Sequence, residues 1–97
     1  MKPEYTIGSP IVGGGVTVAY TGTAGTTAAI SAGAVALRVV STTDCFIEIS
    51  VAGTAAVATT GLYLPAFSPE YFSCPPSAKV SAIQVATAGS IYVSAIA

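Results

Sequence analysis

From Val16 onward, apolar residues recur at every second position in short runs separated by Gly, Thr and Pro. A period of two sends alternate side chains to opposite faces of an extended strand. Val16-Thr17-Val18-Ala19-Tyr20 is the first such run; a Gly22 and Gly25 turn and a short segment from Thr27 to Ile30 follow it. After the break at Ser31-Ala32-Gly33, the run from Ala34 to Ser41 sets Val35, Leu37 and Val39 on one face and Ala36, Arg38 and Val40 on the other. Thr42-Thr43-Asp44 reads as a turn into a strand from Cys45 to Val51, with Cys45, Ile47, Ile49 and Val51 inward and Phe46, Glu48 and Ser50 outward.

The second half is more broken. Thr54 to Thr60 is rich in small residues and reads as a weak strand or a loop. Leu62-Tyr63-Leu64 is a short strand ended by Pro65, and Pro69 to Ser73 is another, stopped by Cys74-Pro75-Pro76. Lys79 to Ala86 and Ser90 to Ile96 read as a hairpin joined by Thr87-Ala88-Gly89. The strands holding Arg38 and Glu48 also read as a hairpin, which would pair these two across an exposed face for about 0.2–1 kcal/mol. No segment carries apolar residues at helical spacing without β-branched residues or Gly between them. About eight short strands therefore predict an all-β fold: a single-domain β-sandwich over residues 16–97, of jelly-roll or Greek-key type.

Residues 1–15 differ. Pro3, Gly8, Pro10 and Gly13-Gly14-Gly15 argue against any regular element, so they read as a flexible arm hinged on the glycines. A frayed end is the plainer reading. Tyr5, Ile7, Ile11 and Val12 are nevertheless apolar enough to dock on a neighbouring subunit.

Composition sharpens this picture. Of 97 residues, 53% are hydrophobic and only 7% charged, against about 25% charged in ordinary soluble domains. Lys2, Arg38 and Lys79 lie far apart and the net charge is −1, so the basic cluster that phosphate backbones require is missing. No run is long and apolar enough for a membrane helix, and Met1 to Gly8 lacks the apolar core of a secretory signal. Nucleic acid and membrane are therefore not expected partners. A surface so poor in charge resists self-association weakly, and cover by other protein subunits is the expected use of it.

The chemistry-bearing residues are few. There is no His, so the usual general base and the commonest metal ligand are missing. Two Cys without His do not complete a zinc site; Cys45 reads as a buried small hydrophobe and Cys74 as a loop-edge thiol, with a disulfide between them left open. Asp44, Glu48 and Glu70 are too scattered for a paired-carboxylate site or a calcium loop, and Asp44 reads as a cap on local backbone amides. Gly13-Gly14-Gly15 lacks the Lys and the helix of a phosphate loop. No enzymatic activity, cofactor or metal is expected.

The most distinctive stretch is Leu62 to Phe72, with Tyr63, Phe67, Tyr71 and Phe72, two prolines and Glu70 in eleven residues. Its aromatics read either as one end of the core or as interface anchors, with the Tyr hydroxyls and Glu70 as the exposed parts. Together with Leu37 to Ser41, Asp44 to Ile49 and Lys79 to Ser94, this stretch resembles small virion proteins of tailed bacteriophages, over roughly Ala34 to Ile96. The resemblance implies a capsid decoration (cement) protein of jelly-roll type, placed on the exterior of the virion shell. Its partner would be the major capsid protein, and a homo-oligomer, dimer or trimer, would suit a symmetry axis. Interface candidates are Tyr5, Ile7, Ile11, Val12, Tyr63, Phe67, Glu70 and Tyr71. A neck, tail or fibre subunit and a carbohydrate- or receptor-binding β-sandwich remain as alternatives.

Overall fold

The computed structural model describes residues 9–97. Eight strands follow one another without a helix among the described residues: β1 (Pro10–Tyr20), β2 (Gly25–Thr26), β3 (Ala36–Ser41), β4 (Cys45–Ser50), β5 (Leu62–Leu64), β6 (Glu70–Ser73), β7 (Lys79–Gln84) and β8 (Gly89–Ile96). They form two four-stranded antiparallel sheets, one ordered β1-β8-β3-β6 and the other β2-β7-β4-β5. In this order β1 pairs with β8, β2 with β7, β3 with β6 and β4 with β5. The chain is thus one long antiparallel ribbon, folded at the β4–β5 connection and rolled up until β8 also meets β3 and β7 meets β4. That arrangement is a jelly roll.

The period-two pattern determines which side chains fill the space between the sheets. Leu37 and Val39 of β3, Ile91, Val93 and Ala95 of β8 and Tyr20 of β1 face Cys45 and Ile47 of β4, Leu64 of β5, and Val80 and Ala82 of β7, all of them buried. Their neighbours along each strand turn outward. Two positions assigned to the inner face lie outside it: Val35 and Val51 are exposed because each stands just beyond the end of its strand.

Both expected hairpins are corrected. β3 and β4 lie in different sheets, and so do β7 and β8. Arg38 therefore stands opposite Tyr71 and Ser94, and Glu48 opposite Ser81, so no Arg38–Glu48 pair across a hairpin is formed. Alternation fixes which face of a strand is inward but not which sheet the strand joins, and the connections through Thr42–Asp44 and Val85–Ala88 cross from one sheet to the other.

The arm boundary also moves. Pro10 already pairs with Ile96, so residues 10–15 belong to β1 rather than to a free arm. Five residue steps on β1, from Pro10 to Gly15, cover two on β8, from Ile96 to Ser94. The surplus forms a bulge, where Gly13 takes a left-handed conformation at φ 72° that side-chain-bearing residues rarely adopt. The glycines serve the bulge instead of a hinge. The Thr27 amide still bonds to Val80 of β7 and the Ile30 amide to Ala78 just before it, but the strand itself is Gly25–Thr26. Residues 54–60 form no strand. They lie over the outer face of the second sheet, where the Ala56 amide donates to the buried Ser81 hydroxyl at 2.9 Å.

Cys45 and Cys74 are free thiols. Cys45 follows the end of β3, whereas the Cys74 amide bonds to the Val35 carbonyl just before β3 begins. A six-residue strand spans about 20 Å, far beyond the roughly 7 Å a disulfide tolerates between Cα atoms.

Candidate functional site

The aromatic stretch forms one lateral edge of the sandwich. β5 is the edge strand of one sheet and β6 that of the other, so residues 65–69 pass from sheet to sheet at that side. Tyr63 pairs with Phe46, between the inward Cys45 and Ile47, and hence stands on the outer face of its sheet. Its ring meets Phe46 edge-on, with centroids 5.7 Å apart and planes at 66°. Tyr71 pairs with Arg38, between the inward Leu37 and Val39, and looks outward from the opposite face. Phe72 turns inward and packs on the core. Glu70 shares its side of β6 but remains exposed at the rim, where an inward-pointing charge discourages a further strand from pairing with the edge.

Phe67 separates from this set. Of the two readings of the stretch, packing in the core alongside Phe72 does not hold for Phe67, whose side chain is 72% exposed. Its backbone adopts φ 56°, in the left-handed region that L-residues with bulky side chains avoid. Two hydrogen bonds hold the loop there. The Phe67 amide donates to the Ser41 carbonyl at 2.8 Å, and the Ala66 amide donates to Oδ1 of Asp44 at 2.8 Å. Pro65 and Pro69 stiffen the loop on both sides.

Asp44 therefore caps an amide 22 positions away rather than a local one. The same carboxylate acts on Tyr63. Its influence on the phenol, ahead of desolvation, raises the Tyr63 pKa above the ordinary phenol value. No pattern in the sequence announced this role, because the partners lie on different loops and meet only once the ribbon is rolled. Thr43 next to it is engaged in the same way. The Tyr20 hydroxyl lies 2.8 Å from the Thr43 carbonyl and 2.7 Å from its Oγ1, and Oγ1 donates to the Thr87 carbonyl at 3.0 Å.

These turns border a shallow pocket of about 300 Å³ between Thr43, Asp44, Ala66 and Thr87. In its lining, Oδ1 of Asp44 accepts from the Ala66 amide and Oγ1 of Thr43 donates to the Thr87 carbonyl, and the first of these bonds braces the Phe67 loop. Among the described residues no group of three or more His, Cys, Asp or Glu converges on a point.

The remaining interface candidates lie elsewhere. Ile11 packs against the core from β1, while Val12 beside it is fully exposed on the bulge. Tyr5 and Ile7 lie outside the described residues. Thus the structure brings Tyr63, Phe67, Glu70 and Tyr71 to one edge, with the two tyrosines on opposite faces, and Ile11 and Val12 on the far edge strand. Leu62, half-exposed at the start of β5, joins the aromatic edge although the sequence did not mark it. No family model matches the chain, and no match is found among curated proteins or solved structures.

Proposed function

We propose that the chain is a capsid decoration (cement) protein of a tailed bacteriophage, bound to the major capsid protein on the outside of the shell, and that it acts without catalysis. The observation that carries this reading is the surface. Among the described residues ten large apolar side chains are exposed, in a chain whose sequence holds only seven charged residues, a combination that favours cover by protein over free solution. The jelly roll supports it as a small rigid body that presents loops and edges to neighbours. Many identical weak contacts across a symmetric lattice add through multivalency, so one molecule need not bind tightly. A dimer or trimer of the chain would match a symmetry axis of such a lattice.

The experiment compares particles assembled with and without the protein. Shells lacking it release their contents at a lower temperature, and purified protein added back restores the original release temperature. Equal release temperatures, with no effect of add-back, would remove the decoration role.

A further inference from the structure

Phe67 combines three properties that folding alone does not reward. Its ring lies in solvent, its backbone is held in a disfavoured conformation, and two hydrogen bonds and two flanking prolines fix that conformation. Strain that the fold over-determines at an exposed aromatic points toward binding, because a rigid aromatic loses little freedom when it is buried by a partner. Ser77 is the other described non-glycine residue with positive φ, but it is small and half-buried. A loop chosen only for folding would carry Gly or Asn at position 67.

The charge around the ring constrains what it meets. Asp44 lies beside the loop and Glu70 three residues beyond it, both exposed, and residues 62–70 contain no Lys or Arg. An apolar tip flanked by carboxylates is complementary to an apolar hollow rimmed by cations.

We propose that Phe67 is the anchor by which this protein docks, its ring entering an apolar pocket rimmed by Lys or Arg on a shell subunit. This rests on the decoration reading and assigns it a contact point.

The test measures binding of the full-length protein to purified shells that lack it. Phe67→Asn keeps a residue that tolerates the left-handed backbone and removes only the ring, so its melting temperature equals or exceeds that of the wild type. Its shell affinity falls by about thirtyfold or more, the effect expected of a hot-spot residue. Tyr92→Ser, which removes a half-exposed aromatic from the outer face of the sheet β1-β8-β3-β6, binds as the wild type does. Undiminished binding by Phe67→Asn overturns the anchor while leaving the decoration reading in place. Failure of the wild-type protein itself to bind overturns both.

Discussion

Oδ1 of Asp44 accepts a hydrogen bond from the Ala66 amide at 2.8 Å, which ties the turn between β3 and β4 to the loop between β5 and β6. The same carboxylate also raises the pKa of the Tyr63 phenol. Asp44→Ala leaves the Ala66 amide to water and is expected to cost about 1 kcal/mol. For a domain of this length that lowers the melting temperature by about 4–8 °C. In the same variant the Tyr63 phenol titrates at lower pH than in the wild type, visible by ultraviolet absorbance. An unchanged phenol titration would contradict that influence of Asp44 on Tyr63.

Leu37 and Val35 stand two positions apart and read alike in the sequence, yet Leu37 is 0% exposed and Val35 63%. Leu37→Ala opens a cavity between the sheets and is expected to cost about 2–5 kcal/mol, a large share of a small domain's total. Val35→Ala is expected to stay within about 0.5 kcal/mol. Urea unfolding of both variants checks the contrast, and equal losses would place Val35 in the core.

Alkaline pH is expected to destabilise the fold. Burial is the main cause that raises both the Cys45 thiol and the Tyr20 phenol above their ordinary values of 9.0 and 10.0. The folded chain therefore keeps protons that the unfolded chain releases. Stability is fully present below pH 9.0 and is lost as the pH rises through the ordinary values toward the raised ones. Tyr20→Phe keeps the ring in the core but removes one titrating group, so the fall above pH 10.0 becomes shallower. That variant also loses the bonds to Thr43, which lowers its stability at neutral pH by about 1 kcal/mol. Melting curves from pH 7 to 11 on the wild type and the variant measure both effects.

The two-residue period made the strands of the core legible, because burial on one face is written in every second residue from Leu37 to Val39 and from Cys45 to Ile47. It could not show the crossings, since the side chains of β3 and β4 alternate in the same way whether they share a sheet or face each other across the core. Pro10 and the three glycines misled for a related reason. Residues that break a regular strand are the same ones that build a bulge at its edge. Of the aromatic edge, the sequence supplied the residues but not their directions: Phe72 inward, Tyr63 and Tyr71 on opposite faces, Phe67 in solvent. The last depends on the left-handed turn at Phe67, which composition does not reveal.

The most direct measurement is the number of copies of this protein per particle, by quantitative mass spectrometry against the major capsid protein. The decoration reading predicts about one copy for every one to three shell subunits, as a lattice with one bound molecule or small oligomer per repeating site requires. A dozen copies or fewer per particle would contradict it in favour of a neck or tail position, and absence from particles would contradict any role in the virion.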